Sequence, residues 1–294
     1  MKNNFKISKV ATIDIGSNAI RLLISNVFDI KGLKYHTKNS LYRIQLRLGD
    51  DSFKNGTLSE KNHKKLKSTL KSFKLIMDIN EIKNYLAYAT SAMRSLNNGE
   101  KILKSLEKET GIKVKIISGK KESEIVAKND ITPHIGKTKN YCFVDVGGGS
   151  TEVIIYKKNR FYKSKSFKIG GVRLINDLVT DSTWNDFKIW LETNANELKK
   201  LKIIGVGGNI NKIYKISGVK NTKPLSLKNF KNTLDKIEKM SYQKKLIKLK
   251  LNPDRVDVIY PAGRIYYFVL KTLSIKEIYV PKIGLADGMV SEII

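Results

Sequence analysis

Two short segments of this chain share one design, in which an apolar run ends in an aspartate and a glycine-rich turn follows. The first segment runs from Ile13 to Asn18 and the second from Val144 to Thr151. A further apolar run follows each turn, so both segments are predicted to form β-hairpins whose tips expose backbone N–H groups. Because the design occurs once in each half of the chain, it predicts a duplicated fold that grips phosphate between its halves.

The turn residues are candidate phosphate ligands, since successive backbone N–H groups form a concave anion site. A carboxylate beside such a turn can hold a divalent cation against the phosphate. Asp145 and Glu152 flank the second turn, so a hairpin brings both carboxylates near one point, and Asp14 is the equivalent carboxylate of the first turn. A capping role within the turn is the alternative for Asp14 and Asp145, and it is compatible with metal binding. The candidate phosphate ligands are Gly16, Ser17, Asn18, Gly147, Gly148, Gly149, Ser150 and Thr151.

Length and composition bound the class of protein. A chain of 294 residues suits two domains of roughly 120 to 170 residues each. Its one cysteine, Cys142, lies in a strand-like run and is expected to be a buried apolar residue rather than part of a disulfide framework. No apolar segment typical of a signal peptide precedes Val10, and no apolar run is long enough to span a membrane. We therefore expect a cytoplasmic protein without a membrane partner.

The net charge of +29 is extreme for a chain of this length. It indicates a polyanionic partner, such as polyphosphate, nucleic acid or a membrane surface. The alternative is a composition biased toward lysine, with lysines filling solvated positions on helices. Charge alone does not decide between the two, and it does not by itself make nucleic acid a specific partner.

The hydrophobic pattern of the first half predicts the order βββαβαβ. Alternating or apolar runs predict strands over Val10–Asp14, Ile20–Phe28 and Lys34–Leu46. Thr57 and Glu60 have the spacing of a capping box and are predicted to open a helix. A strand over Tyr85–Ala89, a helix ended by Gly111 and a strand over Ile112–Ile117 complete the half.

The second half is predicted to repeat that order. Its strands are expected over Tyr141–Asp145, Glu152–Lys157, Phe161–Ile169, Leu201–Val206 and Glu277–Val280. Helical segments are expected over Val172–Val179, Trp184–Lys199, much of Ser226–Leu249, Arg255–Leu273 and part of Ile283–Ile294. The boundary between the halves is expected within Lys120–Ile135, where Pro133 and Gly136 interrupt a helical pattern.

Five motifs occur along the chain in the order and spacing of the exopolyphosphatase/guanosine pentaphosphate phosphohydrolase (Ppx/GppA) family. They are TIDIGSNAIRLLI, ATSAMR, IISGKKESEI, FVDVGGGSTEVII and GVGGNINKI. The chain resembles the short, two-domain form of that family. The resemblance implies an α/β, actin-like ATPase architecture with two ribonuclease-H-like βββαβαβ domains around a central cleft. It places domain I at residues 1–124, with the helix 283–294 packing back on it, and domain II at residues 125–282.

The same resemblance implies roles for individual residues. Glu122 is implied as the catalytic base, Arg94 as a phosphate clamp on the loop with Thr90 and Ser91, and Asp145, Glu152 and Asp14 as ligands of Mg²⁺ or another divalent cation. From the residues alone, Glu122 could equally be a first-turn glutamate favoured by the helix dipole, and Arg94 a surface ion pair. Arg21 lies on a predicted strand and is expected to support the first turn from within or to pair internally. Further ligand or nucleotide contacts are implied at Gly207, Gly208 and Asn209.

The implied function is release of orthophosphate from inorganic polyphosphate. Two alternatives stay open, namely hydrolysis of guanosine pentaphosphate to tetraphosphate, and a non-catalytic sensor that binds either ligand. A sugar kinase fits less well, because TSAMR and ISG-x-x-E do not belong to that class. Asn209, in place of the family's usual threonine, and the segment Gly284–Gly288 depart from the family and bear on substrate choice. The three histidines, His36, His63 and His134, lack metal-ligand spacing, and a homodimer is left open.

Overall fold

The computed structural model describes residues 5–131, 138–220 and 223–294. The chain divides into two compact units. The first unit runs to Lys128 and includes the segment Leu285–Ile294, and the second comprises Asn129–Gly284. The chain therefore leaves the first unit once, builds the whole of the second, and returns. Pro133, His134 and Gly136 lie outside the described residues.

The first unit is built on a five-stranded sheet in the order β3-β2-β1-β4-β5. β1 pairs antiparallel with β2, and β2 with β3, whereas β4 is parallel to both β1 and β5. The strands are β1 (Phe5–Ile15), β2 (Ala19–Ile30), β3 (Leu33–Gln45), β4 (Asn84–Ala89) and β5 (Lys115–Ile116). The helices are α1 (Leu48–Asn55), α2 (Glu60–Ile79), α3 (Ser91–Arg94), α4 (Gly99–Thr110) and α5 (Gly119–Val126).

The second unit repeats the arrangement and adds one edge strand, in the order β10-β11-β9-β6-β7-β8. Its strands are β6 (Tyr141–Val146), β7 (Thr151–Lys157), β8 (Arg160–Phe167), β9 (Lys202–Val206), β10 (Leu225–Ser226) and β11 (Glu277–Tyr279). Its helices are α6 (Gly171–Ile175), α7 (Asp181–Ala195), α8 (Gly208–Ile216), α9 (Leu227–Glu238), α10 (Tyr242–Ile247), α11 (Pro253–Val256) and α12 (Ile259–Thr272). The last helix, α13 (Leu285–Ile293), belongs to the first unit.

Both sheets contain the ribonuclease-H-like core, three antiparallel strands followed by two strands parallel to the first. The predicted duplicated α/β fold is therefore confirmed. The predicted strand Ile112–Ile117 is shorter in the structure, where pairing is limited to Lys115 and Ile116. β10 and α1 lie outside the elements that the sequence pattern predicted. Among the described residues, no helix combines the length and the apolar character needed to cross a membrane.

The start of α2 corrects one sequence prediction. The N-cap is Ser59, whose side chain accepts a hydrogen bond from the backbone N–H of Asn62, and not Thr57. Asp51 of α1 stabilises Ser59 as the N-cap, because its carboxylate accepts hydrogen bonds from both the N–H and the hydroxyl of Ser59. At the end of α4, Gly111 takes the left-handed conformation that a helix C-cap favours, as predicted.

Each unit has its own apolar core. In the first, the inner faces of β1 and β2 pack against Leu66, Leu70 and Phe73 of α2. The other face of β1 and β2 packs against α13 through a small cluster that includes Val10, Ala286 and Val290. The second core lies around Phe187, Phe230 and other residues of the unit, and includes the fully buried Cys142, as the sequence predicted.

Candidate active site

The first Asp–Gly turn lies at the carboxyl end of β1. β1 ends at Ile15 and β2 begins at Ala19, so the residues between them form the tip of the hairpin. Asp14 lies opposite Arg21 in the strand register, and Arg21 Nη1 is 2.5 Å from Asp14 Oδ2. The expectation that Arg21 supports the turn from within is confirmed. This ion pair fixes the carboxylate that the sequence offered as a metal ligand, and that role for Asp14 stays a prediction.

Parallel pairing of β1 and β4 brings Thr90 and the start of α3 to the same edge of the sheet, where the sequence predicted a loop. Ile15 pairs with Ala89, and the N–H of Thr90 donates to the carbonyl of Ile15 at 3.1 Å. The hydroxyls of Ser17 and Ser91 are 2.9 Å apart, and both side chains are buried. In addition, Arg47 Nε donates to Asn18 Oδ1 at 2.9 Å. The candidate phosphate ligands of the first unit therefore form one connected group.

Glu122 and Arg94 form a largely buried ion pair in the same unit. Arg94 Nη1 is 3.0 Å from Glu122 Oε2, and only 22% and 11% of the two side chains are exposed. The same Arg94 nitrogen donates to the carbonyl of Ile117 at 2.6 Å. Glu122 lies in the first turn of α5, whose N-cap Ser118 accepts from the N–H of Lys121. Glu122 is therefore a first-turn glutamate, and Arg94 is ion-paired, as the two alternatives from the sequence stated. The pair is largely buried, however, and is not the surface ion pair that the sequence suggested for Arg94.

The second Asp–Gly turn joins β6 to β7 and is bonded to the start of α6. The N–H of Gly147 donates to the carbonyl of Ser150 at 2.9 Å and closes the turn. The N–H groups of Gly171 and Val172 donate to the carbonyls of Gly147 and Gly148. A β-carbon added to Gly170 would lie 2.5 Å from the carbonyl oxygen of Gly148, so this approach of two backbone segments requires glycine.

Asp145 and Glu152 are cross-strand partners in the β6–β7 hairpin, which confirms the expectation that the hairpin brings them near one point. Both are buried, with 9% and 1% of each residue exposed. The hydroxyl of Ser166 donates to Glu152 Oε1 at 2.7 Å. Burial raises the pKa of the neighbouring Tyr266 well above its usual value, and the charges of Asp145 and Glu152 raise it further. Two acidic side chains thus lie on the same face of the hairpin, largely out of water, where a cation or a proton shared between them would be stabilising.

This donor set fits a hard divalent cation. Mg²⁺ is usually held by one or two carboxylates while water and phosphate oxygens complete its octahedral shell. Among the described residues, no three or more His, Cys, Asp or Glu side chains lie close enough to hold a metal ion together. Because Mg²⁺ needs only one or two carboxylates when phosphate supplies further oxygens, the Asp145–Glu152 pair is compatible with Mg²⁺ bound together with a phosphate ligand. His36 and His63 lie on β3 and α2, where neither is buried.

Gly207 lies beside Asp145 within the second unit. β9, which is parallel to β6, ends at Val206, opposite Asp145 in the register. Gly207 has φ 108°, and a β-carbon there would be 3.0 Å from Asp145 Oδ1. The next residues, Gly208 and Asn209, begin α8. A ligand role for all three residues stays a prediction, but the structure places Gly207 against Asp145.

Two residues at this site were missed by the sequence analysis. Arg173 Nε donates to the carbonyl of Gly149 at 2.8 Å, and burial lowers the pKa of its guanidinium. Its one sequence signal is an arginine two residues after the glycine pair Gly170–Gly171, in a chain dominated by lysine. The buried hydroxyl of Tyr266 donates to the carbonyl of Val206 and accepts from the N–H of Val146. It ties β6 to β9 beneath the turn, and no local pattern indicates this role.

The two sheets of ribonuclease-H-like order, each with an Asp–Gly hairpin at the same position, define a member of the actin-like ATPase superfamily. Within it, the chain belongs to the Ppx/GppA phosphatase family, since the sequence pattern that defines this family matches residues 36–294. A Ppx/GppA family member from Aquifex aeolicus has a similar solved structure, with a TM-score of 0.74 at 25% identity over 98% of this chain and 97% of that one.

Two curated relatives are similar in sequence. A bifunctional 3-dehydroquinate synthase/phosphatase from Fusobacterium nucleatum is 35% identical over 226 residues, which cover 70% of this chain and 33% of that protein. Exopolyphosphatase 1 from Mycobacterium tuberculosis is 28% identical over 176 residues, which cover 59% of this chain and 49% of that protein. The chain thus spans a third to a half of the length of these relatives.

Proposed function

We propose that this protein is an exopolyphosphatase that hydrolyses the terminal phosphoanhydride of inorganic polyphosphate and releases orthophosphate. The observation that carries the proposal is the buried Arg94–Glu122 pair in the unit that also holds the Ser17–Ser91 contact. It combines an anionic base, a cationic guanidinium and hydroxyl donors within a small group. Family membership and the similarity to exopolyphosphatase 1 support the same activity.

In the proposed reaction Glu122 orients a water molecule and accepts its proton as the oxygen attacks the terminal phosphorus. The bond between that phosphorus and the bridging oxygen breaks, and the shortened chain leaves with the bridging oxygen. Arg94 compensates negative charge on the terminal phosphoryl group, and its planar fork suits phosphate better than an ammonium group does. Because little covalent chemistry is demanded of the protein, positioning and charge compensation provide most of the rate enhancement.

Asp145 and Glu152 are the proposed ligands of Mg²⁺, and Asp14 is a further candidate. When bound, Mg²⁺ would compensate the charge of the phosphate oxygens. The residues from Gly147 to Thr151 hold the turn against α6, and we assign their N–H and hydroxyl groups to phosphate. Arg173, fixed on the carbonyl of Gly149, joins the proposed phosphate ligands.

Polyphosphate is favoured over guanosine pentaphosphate because a net charge of +29 attracts a long polyanion more strongly than a small nucleotide. Hydrolysis of guanosine pentaphosphate to tetraphosphate is the second candidate, since the same terminal phosphoanhydride reacts in both. A sensor that binds either ligand without turnover is the third.

The test is phosphate release from long-chain polyphosphate and from guanosine pentaphosphate, with and without Mg²⁺. We expect release from polyphosphate that requires Mg²⁺, and a loss of about 10²- to 10⁴-fold in kcat for Glu122→Gln. Glu124→Gln is the matched control, because Glu124 lies on the same helix but is exposed, and it should retain activity. Binding without release from either substrate would establish the sensor instead. Near-full activity of Glu122→Gln would show that another group is the base.

A further inference from the structure

We propose that Glu292, on helix α13, is a positioning residue that holds the base-bearing helix α5 and β4, the strand that leads into Thr90 and Ser91 at the start of α3. The inference rests on the proposed role of Glu122 as the base. Glu292 acts on Glu122 through Lys121, the residue that precedes Glu122 in α5.

One carboxylate connects three elements of the first unit. Lys121 Nζ of α5 is 2.6 Å from Glu292 Oε1, and Lys128 Nζ is 2.8 Å from the same oxygen. The other oxygen, Oε2, accepts the hydroxyl of Tyr88 on β4 at 3.1 Å. Only 10% of the Glu292 side chain is exposed. Charge-assisted hydrogen bonds in such a shielded position are stronger and more directional than those of a surface pair.

Both tethered elements lead directly to the proposed chemistry. Lys121 immediately precedes Glu122 in the first turn of α5, so a hydrogen bond to Lys121 restrains the rotation of that turn. Tyr88 is two residues before Thr90, whose N–H is bonded to Ile15 beside the first Asp–Gly turn. The Glu292 carboxylate therefore restrains the base and the proposed phosphate ligands Thr90 and Ser91 relative to each other.

The helix that carries Glu292 is itself firmly attached. Thr12 of β1 donates its buried hydroxyl to the carbonyl of Ala286 at 2.9 Å. Val290 packs fully buried in the cluster with Val10 and Val27. A carboxylate on a helix fixed to the central strand is a rigid support, in contrast to one on a loop.

The charges in this network persist at neutral pH. Burial alone would raise the pKa of Glu292, but hydrogen bonds from Lys121 and Lys128 outweigh it and keep the pKa below its usual value. The hydrogen bond to Glu292 raises the pKa of Lys121. Burial, together with the charge of Glu292, raises the pKa of Tyr88, so its hydroxyl remains a donor.

The test compares kcat and KM for phosphate release in Glu292→Gln, Lys121→Gln and the double variant. Since a displacement of about 1 Å at a reacting group can lower the rate about 100-fold, we expect kcat to fall about 10-fold or more in each single variant, with KM changed less than about twofold. The double variant should be no slower than the slower single variant, because both remove the same link. Glu109→Gln is the control. It removes a carboxylate bonded to Lys67 at 2.8 Å between α2 and α4, away from the site, and should leave both constants unchanged.

The outcomes separate this inference from the proposed function. An inactive wild type, or an active Glu122→Gln, refutes the proposed function. If the wild type depends on Glu122 but Glu292→Gln keeps its kcat, or loses it only to the extent that Glu109→Gln does, the positioning role is refuted. Additive losses in the double variant would refute it as well. Should Glu292→Gln fail to fold, Lys121→Gln alone decides through its kcat.

Discussion

Replacing Glu152 by glutamine tests the metal site without relying on activity. Glu152 faces Asp145 across the β6–β7 hairpin, and both are buried. The substitution keeps the shape of the side chain and leaves an amide oxygen that can still accept the hydroxyl of Ser166. It removes one of two opposed negative charges. Two opposite effects on stability are therefore expected, one without metal and one with it.

The strand register allows the change in the free energy of unfolding of the metal-free variant to be estimated. Directly opposed side chains in an antiparallel pair lie about 5 Å apart, and two like charges at that distance repel by about 3 kcal/mol at an effective dielectric constant of about 20. Neutralising the acceptor of the Ser166 hydrogen bond costs about 1 kcal/mol. The metal-free variant should thus be more stable than the wild type by about 2 kcal/mol. For a unit of this size that corresponds to a rise in Tm of about 4–8 °C.

Magnesium should reverse the order of the two proteins. At a free Mg²⁺ concentration about 100 times its dissociation constant, binding stabilises the wild type by about 2.7 kcal/mol, or about 5–11 °C in Tm, which exceeds the metal-free advantage of the variant. Glu152→Gln should lose most of this shift. Thermal unfolding with EDTA and with Mg²⁺ measures both quantities. Asp235→Asn is the control, because Asp235 pairs with Lys231 on an exposed face of α9 in the same unit. This variant should keep the full rise in Tm on addition of magnesium. A full magnesium shift in Glu152→Gln, or a metal-free Tm below that of the wild type, would contradict the reasoning.

Three further predictions concern single residues. Arg94→Lys should lower kcat/KM about 10- to 100-fold in phosphate-release kinetics. Arg94 Nη1 alone contacts both Ile117 and Glu122, which leaves the other donors of its planar fork for phosphate, whereas a lysine has a single nitrogen. A change below twofold would contradict the clamp role. Gly170→Ala should displace the turn at Gly148, lower the Tm by several degrees and reduce activity, and a variant with wild-type Tm and kinetics would show that the close approach is unimportant. Burial raises the pKa of the Cys142 thiol from 9.0 to about 12. The stability this provides is complete below pH 9.0 and is lost as the pH rises toward 12; the thiol should react with Ellman's reagent at pH 8 only after unfolding, and fast reaction of the folded protein would contradict burial.

The sequence predicted the duplicated fold because the information for it is local. Period-two alternation and the Asp–Gly turns identify the hairpins, and a hairpin of known turn necessarily places Asp145 opposite Glu152. Elements that depend on tertiary contacts were less predictable. β10 has two residues and exists only because it pairs with β11. The start of α2 depends on Asp51, a residue of another helix, so local spacing chose the wrong hydroxyl.

The candidate site likewise combines residues that local sequence predicts with residues that depend on tertiary contacts. The turn residues could be predicted, since their types and spacing suffice. The pairing of Arg94 with Glu122 joins residues 28 positions apart on different elements, and no periodicity reveals it. Arg173 and Tyr266 reach the turns from later helices and required the structure. The motifs resembling the Ppx/GppA family supplied roles for Glu122 and Arg94, but not their mutual contact.

The return of the chain to its first unit has a consequence for synthesis. The hydroxyl of Thr12 finds its acceptor at Ala286, 274 positions later, so β1 emerges from the ribosome long before the helix that covers one of its faces. The second unit, Asn129–Gly284, is complete before α13 is made. During translation it can therefore fold first, while Val10 and Val27 still lack α13. Truncation before Leu285 should accordingly leave an aggregation-prone chain whose second unit is folded, whereas addition of α13 covers the exposed face of the first unit.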